Sequence, residues 1–188
     1  MSLLDFMRSF AESSWSIGLH EPRYGYPLVE SVHVWALCLF FGLAVIFDLR
    51  LLGWTMKTVP VSDLARRLMP WTVAGFVLMV ISGSLLFSAI PLRSYQNIFF
   101  RTKMATLMLA ALNVFVFHNT VDRRRTEWDS DPVPPRSARW GGGVALVLCA
   151  VLIVLGRMIP YQVYWFDCNK QPQPAILNWL AGCASGSP

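Results

Sequence analysis

Four stretches of the chain are apolar for long enough, and interrupted by charge rarely enough, to predict helices that cross a bilayer: 28–50, 70–90, 98–118 and 141–160. Each approaches the roughly 20 residues that span a ~30 Å hydrocarbon core at ~1.5 Å per residue. The first lies in PLVESVHVWALCLFFGLAVIFDLRLLG, from Pro27 to Gly53, and holds no charge between His33 and Asp48. The second, PWTVAGFVLMVISGSLLFSAI, opens on a proline; the third is IFFRTKMATLMLAALNVFVFH and the fourth GGGVALVLCAVLIVLGRMIP. Short connections favour antiparallel neighbours. The predicted fold is therefore all-α: a polytopic membrane protein, with an up-and-down bundle of four transmembrane helices over residues 27–160. Residues 1–26 mix Leu3, Leu4, Phe6, Met7 and Phe10 with Asp5, Arg8 and Glu12, which predicts an amphipathic helix lying at the interface. Residues 161–188 form a polar C-terminal tail, in which AILNWLAG predicts a short helix with Trp179 at the membrane surface or against a partner.

At 188 residues, 55% hydrophobic and 14% charged, the composition is that of an integral membrane protein, with the lipid bilayer as its first partner. The net charge of +5 does not point to nucleic acid, because the basic residues sit mostly in loops beside spans. Arg50, Lys57, Arg66 and Arg67 follow the first span, and Arg123, Arg124, Arg125, Arg136 and Arg139 follow the third. The positive-inside rule makes these two loops cytoplasmic and turns both termini outward, into the periplasm in a bacterial inner membrane. There, Cys168 and Cys183 are placed to close a disulfide in the tail. The N-terminus lacks the basic region, long apolar run and small-residue cleavage site of a signal peptide. No Ser/His/Asp or Cys/His nucleophile arrangement, phosphate loop or zinc spacing is present, so hydrolase chemistry of the soluble kind is not expected.

Charges inside spans are costly and are by default functional hypotheses. By helical rise, His33 lies roughly 10 Å, Lys103 roughly 8 Å and Arg157 roughly 10 Å outward of the midplane. Glu30, one turn from His33 on nearly the same face, joins this layer, and Ser82, Gly83 and Ser84 of the second span lie slightly below it. Snorkelling of Lys103 and Arg157 to the headgroups is the plainer alternative. His33 is too short to snorkel, which leaves a hydrogen-bonded histidine, a ligand to a metal or haem iron, or a proton handler. His20 is a further candidate ligand, while His118, roughly 25 Å from His33 in depth, reads as an interfacial cap. At the other end, Asp48 is expected to pair with Arg66 or Arg67 and fix the first loop.

The segments HVWALCLFFGLAVIF after a glutamate, ARRLMPW leading to SGSLLF, and FFRTKMATLMLAALN resemble those of bacterial four-span membrane proteins. That group includes the copper-resistance protein D family and, more distantly, the J-type protoporphyrinogen oxidase. The chain resembles more closely still an uncharacterised bacterial family that has DLRLLG in the first span and PW in the next. The resemblance covers residues 28–118 and implies a site built from the first-span histidine and third-span lysine, here His33 and Lys103. In the oxidase-like members that pair is associated with haem b; the copper-resistance members are linked to copper handling.

Together these features predict an electron-transfer subunit with a haem b or similar redox centre in the outer leaflet. His33 would be an axial ligand oriented by Glu30, Lys103 the second ligand or a charge partner, Arg157 the neutraliser of a propionate, and Gly83 the surface against which the macrocycle lies. The rival expectation is a non-catalytic accessory subunit that packs against other membrane or periplasmic proteins; copper handling, with His33 as the metal ligand, comes third.

Overall fold

The apolar runs do form helices, and the places where the helices stop are set by particular side chains. A computed structural model describes residues 3–168, 170 and 173–183. It contains α1 (Leu3–Ala11), α2 (Ser14–His20), α3 (Gly25–Leu51), α4 (Val61–Ala89), α5 (Pro91–Tyr95), α6 (Ile98–Thr120), α7 (Arg136–Met158) and α8 (Ala175–Ala181). Short 3-10 turns follow α6 and α7, at Asp122–Glu127 and Ile159–Tyr164. Among the described residues there is no strand.

α3, α4, α6 and the run Arg136–Tyr164 are long and apolar enough to cross a membrane, yet no more than 17% of each apolar window is buried inside the protein. Met108, Phe115 and Val147 stand 71%, 67% and 64% exposed. Apolar surface on that scale is what lipid covers, so the chain is a membrane protein with a bundle of four spanning helices.

Each span touches the next. Gly75 of α4 is so close to α3 that an added Cβ would stand 3.0 Å from the Phe40 nitrogen. Phe87 of α4 stacks on Phe100 of α6. On α7, Gly141 lies under the Phe117 ring of α6, and Gly142 faces the Asp48 carbonyl and Leu51 of α3, each 3.1 Å from where a Cβ would be. These small residues let backbones approach, as helix packing in lipid requires.

α4 begins at Val61 rather than at Pro70, which sits inside the helix. Its first turn is tied to a distant segment. The Val61 N–H donates to the Asp129 carbonyl, and the Ser62 N–H and hydroxyl donate to the two Asp129 carboxylate oxygens at 2.7 and 2.6 Å. A carboxylate at that position satisfies orphan amides and favours the positive end of the helix dipole.

The chain divides into two compact units, each fed by all four spans. The first is drawn from Met1–Val32, Ile81–Ala105 and Ile153–Pro188. Instead of one amphipathic helix, its N-terminal part forms two, because the Ser13 side chain accepts from Ser16 N and starts α2. The Ser16 hydroxyl then donates to the Ala89 carbonyl at the end of α4. Asn97 caps α6 by accepting from Phe100 N, and its amide donates to the Ile159 carbonyl. Gln162 accepts from Ile98 N and donates to the Gln96 carbonyl. α8 ends on Gly182, whose φ of +66° suits a glycine in the left-handed region.

In this unit Cys168 and Cys183 are joined by a disulfide, with their Cα atoms 5.6 Å apart across 15 positions. Closing that loop restricts the unfolded tail, not the spans. Reduction is therefore expected to open 170–183 to limited proteolysis while leaving the thermal transition of the bundle unchanged; a bundle that melts earlier after reduction would show that the tail braces the spans.

The second unit comprises His33–Val80 and Thr106–Leu152. Its organising side chain is Arg50, fully buried at 0% exposure. Its Nε donates to the Val59 carbonyl at 2.9 Å and its Nη2 to the Asp131 carbonyl at 3.0 Å, so one guanidinium clasps both connecting loops. Beneath it Leu51, Val61, Trp128 and Ala138 form an apolar cluster, with Phe47, Phe117 and Val121 against it.

Candidate functional site

The polar residues that share a depth in the sequence are distributed over both units: Glu30, Gly83, Lys103 and Arg157 fall in the first and His33 in the second. Their surroundings differ. Glu30 is exposed, whereas His33 and Gly83 are half-buried. Arg157 is exposed and already engaged: its Nη2 donates to the Tyr161 hydroxyl at 2.7 Å, and the guanidinium lies 4.9 Å from the centre of the same ring.

Lys103 is the unusual member. It sits in the second turn of α6, half-buried, and its ammonium end lies against α7, with Nζ 3.6 Å from where a Cβ on Gly156 would stand. A Cβ at 156 would meet it at ordinary van der Waals distance. Among the described residues the amine has no hydrogen-bond or ion-pair partner. A snorkelling lysine would extend to water; this one lies along a neighbouring helix, within van der Waals reach of Gly156.

The candidate ligands outside this group lie elsewhere. His20 is exposed and lines a cavity of about 330 Å³ with Ser16, Glu21, Ala89 and Arg93. His118 pairs with Asp122 one turn on, Nδ1 to Oδ2 at 3.1 Å. Another cavity, of about 280 Å³, lies along α6 and α7 between Asn113, Phe117, Trp140 and Gly141. Neither of these cavities is lined by His33 or Lys103. Among the described residues no group of three or more His, Cys, Asp or Glu side chains is placed to hold a metal ion. A haem iron needs only one or two axial side chains, so that criterion does not bear on it.

The expected pairing of Asp48 with Arg66 or Arg67 does not hold. Arg66 Nη2 is on Asp63 Oδ1 at 2.8 Å, within its own helix turn, and the first loop is fixed by Arg50 instead. Asp48 is left 7% exposed with no hydrogen-bond or ion-pair partner among the described residues. Charge alone suggested the wrong pair, because the acceptors that Arg50 uses are backbone carbonyls. An isolated carboxylate in a span was the available signal for Asp48.

A protein-family model matches residues 10–160, from the end of α1 to the end of the fourth span; its description is a family of unknown function, DUF6644. No curated protein matches the chain, and no solved structure does. The likeness to copper-resistance protein D and to the J-type oxidase thus rests on the sequence segments alone.

Proposed function

The chain belongs to this family of unknown function, and from that premise we propose that it is a multi-pass protein of a bacterial inner membrane that holds a haem b or similar redox centre. The basic loops after the first and third spans support periplasmic termini, which would set His33 and Lys103 toward the outer leaflet. The single observation that carries the reading is the Lys103 amine, turned onto Gly156 within the bundle and without a protein partner among the described residues. A half-buried cation without a counter-charge is costly, and an anionic guest, or a metal that takes the neutral amine as a ligand, removes that cost.

The chemistry of the donor set fits such a guest. His33 would be an axial ligand, with Glu30 placed one turn away to orient its second ring nitrogen. Lys103 would be the second ligand or a charge partner. Arg157 would neutralise a propionate, and Gly83 would let the macrocycle lie against α4. The group, once bound, would supply one-electron exchange; the chain would bind it, orient it and exclude water, passing electrons between a periplasmic partner and the quinone pool or a neighbouring subunit.

An alternative reading has its own support. Ile176 and Trp179 of α8 are 67% and 77% exposed on a tail that the disulfide holds in place. That face suits an accessory subunit that docks on other membrane proteins. Copper handling, with His33 as the metal ligand, is the third reading.

A reduced-minus-oxidised visible spectrum of the purified chain, with metal analysis on the same sample, separates these readings. A b-type band is expected, lost in His33→Ala and shifted or weakened in Lys103→Ala, with both variants folded. A colourless, metal-free and folded protein that co-purifies with other membrane subunits would overturn the redox reading and leave the accessory one.

A further inference from the structure

The last turn of α3 places an acidic and a basic residue two positions apart, and the bundle treats them in opposite ways. Arg50 is fully buried, but its guanidinium points to the two loops, where the Val59 and Asp131 carbonyls accept from it. Asp48 is 7% exposed and finds nothing of the kind. No N–H, hydroxyl or cation among the described residues is bonded to its carboxylate.

α7 packs directly against the main chain at Asp48. Gly142 brings α7 against α3 so closely that a Cβ there would stand 3.1 Å from the Asp48 carbonyl oxygen and 3.6 Å from its Cα. Helical side chains lean toward the N-terminus of their own helix. The carboxyl group is thus drawn away from the Gly53 turn and along α3, into the span. From α7, Cys149 is the titratable group within electrostatic reach of it. From the connecting loops, Asp129 and Asp131 act on Arg50. On α4, Asp63 and Arg66 pair with each other.

An ionised carboxylate taken out of water, with neither a counter-ion nor a donor, is strongly disfavoured, and the group escapes that cost by taking up a proton. We propose that Asp48 is a proton-binding site inside the bundle. Its carboxylate accepts a proton from hydronium, one O–H bond forming as another breaks and water departing, and holds it as a neutral acid. The site is independent of His33 and Lys103, and it stands whether or not the chain carries a redox centre.

Dicyclohexylcarbodiimide tests this on the native, full-length chain in detergent, because it enters apolar regions and modifies carboxyl groups in their protonated form. Peptide mass spectrometry at neutral pH is expected to find the adduct on Asp48 and not on the exposed Glu12, the ion-paired Asp63 or the hydrogen-bonded Asp129. Raising the pH is expected to remove it. Asp48→Glu should keep the adduct and Asp48→Asn should lose it. In infrared spectra the carbonyl stretch of a protonated carboxyl group should be present in the native chain, shift in heavy water and be absent from Asp48→Asn. Native protein that stays unmodified at Asp48 at neutral pH, and shows no protonated-carboxyl band, would overturn the proposal whatever the variants do.

Discussion

Replacing Arg50 by alanine is expected to destabilise the protein by about 3–5 kcal/mol, from two hydrogen bonds by a charged donor at ~1.5–3 kcal/mol each plus the cavity left by a fully buried side chain. The Val59 and Asp131 carbonyls would lose their donor together, and with it the link between the two loops. One term runs the other way. Arg50 Nη1 is buried without a hydrogen-bond partner, so its removal relieves ~1 kcal/mol or more of desolvation and holds the loss near the lower end of that range. Arg50→Lys should fall between, since an ammonium cannot fork to two carbonyls in the same geometry. Arg66→Ala is the control. Its ion pair with Asp63 has a side chain 78% exposed, and its loss should stay within about 0.5 kcal/mol. Unfolding in mixed detergent, with protease cleavage in 52–60 and 121–135 as the local readout, measures all three. An Arg50→Ala protein as stable as the Arg66→Ala protein would mean that the Trp128 cluster and the Asp129 bonds to Val61 and Ser62 hold the loops without it.

Gly142→Leu is expected to cost about 3 kcal/mol or more, through overpacking and not through lost contacts. A Cβ at 142 already stands at 3.1 Å from both the Asp48 carbonyl oxygen and the Leu51 Cβ, and a leucine adds three further carbons between α3 and α7. Gly42 supplies the contrast, since nothing lies within 4 Å of a Cβ placed there. Gly42→Ala should be neutral or stabilising by up to ~1 kcal/mol, because alanine is the better helix former. Gly75→Leu should resemble Gly142→Leu, with the Phe40 backbone in its way. Equal melting of the 42 and 142 variants would show that α7 can move off α3 freely.

These two cases also mark how far the sequence carries. Span number and approximate position follow from apolar run length, and α3, α6 and α7 lie where the runs lie. The start of α4 does not follow, because a proline before an apolar run imitates a first helical turn. Pro70 is instead interior, and the real start is fixed by Asp129, 67 positions away from Ser62. Depth within a span is legible from the helical rise, but the environment is not. Lys103 is half-buried and Glu30 exposed, although the rise puts both in one layer. Nor can a sequence rank Gly42, Gly75 and Gly142; what separates them is whether another helix lies opposite. The charges near the loops misled for a further reason. Arg50 is satisfied by main-chain carbonyls, which every residue has and no motif advertises.

The bond from Ser62 to Asp129 has a consequence for how the protein is made. A ribosome delivers the start of α4 long before it delivers residue 129, so the second span enters the bilayer with its first-turn amides served only by water. Arg50 waits as well, because Asp131 arrives later still. The hairpin of the first two spans is therefore an unsealed intermediate until the third span and the segment after it have emerged. A nascent chain stalled just after α6 should be cut more readily by protease in 52–62 than one stalled past Pro135. The first connecting loop and the start of α4 are therefore completed only when residues 129 and 131 have been made, late in the order of synthesis.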